Sequence, residues 1–239
     1  MKKENQSKSI HSTLFILSVA LISILYSCNN PNSKNEKTHQ IKSCRYSTKQ
    51  IGQLIAQFPT DSTDIIFIGN SLISRANWSE LLGISHHSNW GIGGDEIPCI
   101  RDRAYLLANH KSRFWIIEAG INDLRIYTSD TIYQCFRDIV RIGKKTGAEV
   151  ILNAVIAVSK IAGNQTNGRE EFREVNQLVT SMNQQLRIIA KEEGAVFLDI
   201  NKSLTYPDGT LQDEYTIDGI HLSNNAYLIW ADSISSVLN

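Results

Sequence analysis

Ile65-Ile66-Phe67-Ile68-Gly69-Asn70-Ser71-Leu72-Ile73-Ser74 is the stretch around which the chain is organised. Four apolar residues, Ile65 to Ile68, run without a break and are rich in β-branching. Such a run suits a strand buried on both faces, as in the middle of a parallel sheet. Gly69 ends it, and a helical spacing of apolar positions then begins at Leu72, Ile73, Ala76, Leu81 and Leu82. Ser71 therefore stands where a strand turns into a helix, at the carboxyl edge of a sheet, where open α/β folds bind ligands. Two readings of Ser71 follow. It is a helix N-cap, or it is a nucleophile whose developing oxyanion meets free N–H groups at the helix start.

The rest of the chain has the same grammar. A helix is expected from Tyr46 to Phe58, with Ile51, Leu54, Ile55 and Phe58 inward and Pro59 as its stop. Further strands are expected over Ile84–Trp90, polar enough to lie at an edge, and over Phe114–Ala119, Val150–Val158 and Ala195–Ile200. Between them stand a helix from Asp95, as N-cap, to Asn109, then helices over Thr131–Lys145 and Glu171–Glu193. A last helix is expected over Ser223–Leu238. Five strands alternating with helices predict an α/β fold, a five-stranded parallel sheet with helices on both faces. The loop Gly91-Ile92-Gly93-Gly94 is not Gly-x-Gly-x-x-Gly and precedes no Gly-Lys-Ser/Thr, so nucleotide binding is not supported.

The first residues read as a processing signal. Lys2, Lys3 and Lys8 precede an apolar run from Leu14 to Tyr26, short for a membrane span and of signal-peptide length. It ends in Leu25-Tyr26-Ser27-Cys28. A small residue directly before a cysteine resembles the lipobox of bacterial lipoproteins, in which the chain is cut before the cysteine and the cysteine is lipidated. Tyr26 is bulkier than the usual residue there. The alternative is a cleaved secretory signal with an incidental Cys28. The expected organisation is a signal peptide over 1–27, a tether over 28–45 with no apolar residue from Asn29 to His39, and one domain over 46–239. The expected location is exported and lipid-anchored to a bacterial membrane, with the membrane as a partner through Cys28.

The 239 residues carry no net charge, and removal of 1–27 leaves the balance within two units of zero. No electrostatic footprint for nucleic acid is present. Cys44, Cys99 and Cys135 have no metal-like spacing, and any pair of them is compatible with one disulfide in an exported protein. His86 and His87 are adjacent, so on a strand they point to opposite faces and make a poor metal pair. No metal or cofactor is expected.

Four chemical features fall in loops after strands. They are Ser71, Gly94 with Asp95, Gly120-Ile121-Asn122-Asp123, and Asp218-Gly219-Ile220-His221. Taken singly, Gly94 reads as a turn residue, Asn122 as a turn or cap, and Asp218 with His221 as an N-cap box for the last helix. Taken together they form a chemical set. Asp218 and His221, three apart, can meet across a tight turn. The carboxylate holds one imidazole nitrogen and leaves the other to take a proton from Ser71. The N–H groups of Ser71 and Gly94 and the amide of Asn122 are candidate oxyanion donors.

Gly69-Asn70-Ser71, Asn89-x-Gly-Ile-Gly-Gly94-Asp95, Gly120-x-Asn122-Asp123, Asp218-x-x-His221 and the flank through Tyr227 together resemble the SGNH, or GDSL-type, esterases and lipases. The second block looks most like the platelet-activating-factor acetylhydrolase and carbohydrate-esterase branches. The resemblance covers about residues 62–239. It implies a three-layer α/β/α fold like flavodoxin's. It also implies Ser71 as nucleophile, Gly94 and Asn122 as oxyanion donors and Asp218–His221 as the base pair. One departure is Asn70, where the family usually has Asp. The function expected is serine-dependent removal of a small acyl group, acetyl above all, from an ester of a small molecule or glycan. The alternatives are a lysophospholipase or thioesterase, or a non-catalytic glycan-binding lipoprotein.

Overall fold

The structure, a computed structural model, describes residues 44–57, 63–164 and 171–238. The signal peptide, Cys28 and most of the expected tether lie outside the described residues. Helix α1 (Thr48–Ile55) leads to β1 (Ile65–Gly69), α2 (Ser71–Arg75), α3 (Trp78–Leu82), β2 (His87–Gly91), α4 (Ile97–Leu106) and β3 (Phe114–Glu118). Then come α5 (Ser129–Lys145), β4 (Glu149–Asn153), α6 (Glu171–Glu192), β5 (Val196–Leu198), α7 (Asn201–Leu204) and α8 (Asn224–Ser235).

The five strands are all parallel, in the order β2-β1-β3-β4-β5. β1 and β3 are buried along their whole length, as their unbroken apolar runs require. Alternate side chains then divide between the two faces. Ile66, Ile68, Trp115, Ile117, Val150 and Leu152 pack with residues of α1, α4, α5 and α6. Ile65, Phe67, Phe114, Ile116 and Ile151 pack with α2, α3 and α8. Three layers follow from that period of two. Trp78, Trp115 and Trp230 are buried in these layers, with Trp78 stacked on Phe67 at 4.4 Å and edge-on to Trp230.

The polar strand does lie at the edge, but it begins at His87 and not at Ile84. The Ile84 N–H turns back to Ser79 O and closes α3 after Gly83. The fourth strand ends at Asn153, not Val158. Beyond it Ala154 N–H still donates to Leu198 O of β5, and from Val155 on the chain stays buried while asparagine side chains take over the pairing. Val155 N–H donates to Asn183, Ala157 N–H to Asn201 and Val158 N–H to Asn176. Buried backbone groups need partners, and side-chain amides serve as well as a ladder.

The chain runs from β1 out to β2, then crosses back over β1 to β3. The direction of winding therefore reverses between β1 and β3, and the crevice at their carboxyl ends is the ligand position of this topology. The loops after these two strands carry Ser71 and Asn122.

Candidate active site

Ser71 is the first residue of α2, and Asn70 is its N-cap, with Oδ1 accepting from the Leu72 N–H at 2.8 Å. The N-cap reading of Ser71 is thus displaced by one residue. Its hydroxyl is left to face His221, with Oγ 3.1 Å from Nε2. Helix α8 holds α2 in place through Tyr227, whose hydroxyl donates to Leu72 O at 2.8 Å.

Asp218 and His221 sit in a tight turn, not in a box opening α8, whose N-cap is Ser223. One Asp218 oxygen accepts from the backbone N–H groups of Ile220 and His221, and the other meets His221 Nδ1 at 2.6 Å. Burial pushes the Asp218 carboxyl up. The hydrogen bond from the His221 ring and those from the two backbone N–H groups outweigh it and hold the carboxyl below its usual range. An ionised Asp218 keeps the proton on Nδ1, so the neutral ring offers Nε2 as an acceptor to the Ser71 hydroxyl. Gly219 makes the turn possible. Its φ is +94°, and a Cβ there would run into the backbone of Ala162.

Gly94 and Asn122 reach the same edge. Gly94 has φ +78°, a conformation that costs glycine little. Ile92 N–H donates to Gly69 O at the end of β1, and a Cβ on Gly93 would lie 3.8 Å from that of Ser71. Asn122 Nδ2 donates to Asp95 O at 2.9 Å. One amide hydrogen therefore ties the β3 loop to the glycine loop, and the second remains available.

The expectation that Asp95 caps α4 is corrected. Asp95 is buried and forms an ion pair with Arg103. The N–H of Ile97, the first helical residue, goes instead to Asp123 Oδ1 at 2.8 Å. Arg103 also donates to Trp90 O and Gly69 O, each at 2.9 Å. It clamps the glycine loop to the end of β1. Sequence reasoning missed this residue, though a signal existed: Arg103 follows Ile100 by three on the apolar face of its helix.

Glu118 was missed too. It ends β3, is fully buried and faces the Asn70 side chain. Burial raises its pKa to about 8, against the Asn70 contact, with Asp123 adding to the rise. This gives the Asn70 departure a physical reason. Asn caps a helix as well as Asp does, and it adds no second carboxylate beside Glu118. Asp123 is raised by burial to about 7, against the Ile97 N–H, with Glu96 and Asp95 adding to the rise.

A pH prediction follows from Glu118. The folded chain keeps its proton from the ordinary 4.5 up to about 8, while the unfolded chain loses it. Stability therefore falls as pH rises through that window. Glu118→Gln cannot ionise, so its melting temperature should gain on wild type steadily from pH 5 to 8.5. Melting curves that stay parallel over this range would mean that Glu118 is ionised in the fold.

Cys44 and Cys99 form a disulfide, one of the three pairings left open, and Cys135 is a buried free thiol. The cystine fastens Cys44 and Arg45, the last residues of the expected tether, to α4. Arg45 Nη1 donates to Gly93 O at 3.3 Å. Among the described residues no group of three or more His, Cys, Asp or Glu side chains is placed to hold a metal ion.

The model of the GDSL-like lipase/acylhydrolase family matches residues 67–229, from β1 into α8. The chain belongs to this family. The rat platelet-activating factor acetylhydrolase IB subunit alpha1 is 27% identical over 193 residues, 76% of this chain and 79% of that one. A GDSL-like lipase from Bacteroides thetaiotaomicron shares the fold at 20% identity, with a TM-score of 0.68 over 80% of this chain and 97% of its own. A catalytic mutant of an acetylxylan esterase from Geobacillus stearothermophilus does so at 18% identity, with a TM-score of 0.55 over 74% and 94%. This GDSL hydrolase thus has the five-stranded parallel α/β fold that its sequence predicts.

Proposed function

We propose that this GDSL hydrolase is a serine esterase that removes a small acyl group, acetyl above all, from a carbohydrate ester. The observation that carries the proposal is the contact of Ser71 Oγ with His221 Nε2 at 3.1 Å, with Asp218 at 2.6 Å behind the ring. Ser71 attacks the acyl carbon while His221 takes its proton, and the carbonyl π pair moves onto oxygen. The N–H groups of Ser71 and Gly94 and the free amide hydrogen of Asn122 receive that oxyanion. Collapse expels the alcohol, which takes the proton from His221, and water then releases the acid by the same steps. The names of two relatives, an acetylhydrolase and an acetylxylan esterase, support acetyl as the acyl group.

Hydrolysis of p-nitrophenyl esters of increasing chain length, followed by acetylated oligosaccharides, tests the reading. The expected result is the highest kcat/KM on acetate and release of acetate from the oligosaccharides. A preference for decanoyl or longer chains would replace it with a lysophospholipase or thioesterase.

The proposal extends to location. Cys28, after the apolar run Leu14–Tyr26, is the lipid attachment site. Cys28→Ala should leave the protein soluble or unprocessed in cell fractions. A Cys28→Ala protein that is cleaved and still sediments with membrane would show a different anchor.

A further inference from the structure

The base pair lies within Thr216-Ile217-Asp218-Gly219-Ile220-His221. Thr216 and Leu222 face each other in an antiparallel bridge, and Ile217 N–H donates to His221 O at 2.9 Å. The residues between the two bridge partners therefore form a closed loop, with Thr216 at its neck. Thr216 is buried and extended, a conformation that suits a β-branched residue. The proposed chemistry gives it no step.

Its hydroxyl is turned into the loop. Oγ1 accepts from Gly219 N–H at 2.8 Å and, at a longer 3.4 Å, from Asp218 N–H, and it donates to His221 O at 2.8 Å. A hydroxyl has one proton and two lone pairs, so its whole capacity is used on the backbone of Asp218, Gly219 and His221. From outside the loop, Ser159 N–H donates to Gly219 O at 2.8 Å, and Gly219 lies against Ala162. Gly219 is thus pinned through its N–H on one side and its carbonyl on the other. We infer that Thr216 is a positioning residue for the esterase reaction. Its hydroxyl sets the backbone from which the Asp218 carboxylate reaches His221 Nδ1 and His221 Nε2 reaches Ser71 Oγ. The inference rests on the serine-esterase reading above.

Without the hydroxyl, the Gly219 N–H is left buried with no partner. Such a group is costly, and the chain shifts to satisfy it. The peptide that carries this N–H is bonded to Asp218 Cα. Its rotation draws the carboxylate off Nδ1, held at 2.6 Å, and lets the ring drift from Oγ, held at 3.1 Å. A misplacement of about 1 Å between reacting groups slows a reaction roughly 10²-fold. Substrate binding should change little, because every partner of the hydroxyl is backbone of the turn.

The test compares Thr216→Val, which keeps the shape and loses the hydroxyl, with Thr216→Ser, which keeps the hydroxyl. Rates on p-nitrophenyl acetate are measured well below each melting temperature, so that every molecule is folded. Thr216→Val should lower kcat about 10²-fold with KM changed only a few-fold, and labelling of Ser71 by a fluorophosphonate should slow in proportion. Thr216→Ser should return kcat to within about fivefold of wild type. Ser223→Ala is the control. It removes a hydrogen bond to Glu214 O on the same hairpin and should leave kcat within about twofold of wild type. Normal turnover by folded Thr216→Val would overturn the inference. So would failure of Thr216→Ser to rescue, or a loss in Ser223→Ala equal to that in Thr216→Val. If Thr216→Val does not fold, Thr216→Ala takes its place, and loss of the fold in both would make the hydroxyl a stability element and overturn the inference. Wild-type activity separates the two levels. An active wild type with indifferent Thr216 variants removes the positioning role and leaves the esterase, whereas a wild type inert on every ester removes the esterase and the role with it.

Discussion

Ser71→Ala should abolish ester hydrolysis while the protein remains folded. The hydroxyl makes its contact with His221 at 3.1 Å and supports no element of the fold. The cap of α2 belongs to Asn70, and α2 is held from behind by Tyr227. Loss of the hydroxyl therefore leaves the backbone geometry, Asp218–His221 and the proposed oxyanion donors in place. What disappears is the atom proposed to form the acyl intermediate. Removal of such a nucleophile typically costs ~10⁴–10⁶ in kcat. The checks are kcat on p-nitrophenyl acetate and the melting temperature of the same preparation. Activity within about tenfold of wild type would take Ser71 out of the mechanism.

Asn122→Ala should lower kcat ~10²–10³-fold with KM changed only a few-fold. The reason is that its proposed work is one hydrogen bond to an oxygen whose charge appears during attack. The ground-state carbonyl is a poorer acceptor, so the loss falls on the barrier more than on binding. A structural role makes a different prediction. Asn122 Nδ2 also donates to Asp95 O, and cutting that tie loosens the glycine loop against the β3 loop. If the tie were the whole role, the variant would melt earlier and turn over normally per folded molecule. Measuring kcat and melting temperature together separates the two roles, and normal turnover would leave the backbone N–H groups as the oxyanion donors.

The features legible in the sequence are those that depend on neighbours along the chain. Ile65–Ile68 and Phe114–Ile117 announce themselves as central strands by unbroken apolar runs, and both are fully buried. Ser71, Asn122 and the Asp218–His221 pair were found because each ends a strand or fills a turn with reactive groups. What was hidden depends on partners distant in sequence. Asp95 looked like a cap until Arg103 drew it inward and Asp123 took over the Ile97 N–H. Val150–Val158 looked like one long strand because burial alone makes the pattern. Its second half pairs with asparagines from α6 and α7. The partner of Cys44 is 55 residues away, and spacing cannot choose it. Glu118 ends an apolar strand as an ordinary acid, and its raised pKa exists only because the fold closes over it.

The central claim is that Ser71 is the atom acylated during turnover, and a fluorophosphonate ester tests it most directly. Active protein is treated with the reagent, digested, and its peptides are weighed. A single adduct is expected on the peptide containing Ser71, with loss of activity in proportion to labelling and none on the Ser71→Ala protein. An adduct elsewhere that tracks the loss of activity, or full activity with no adduct at Ser71, would contradict it.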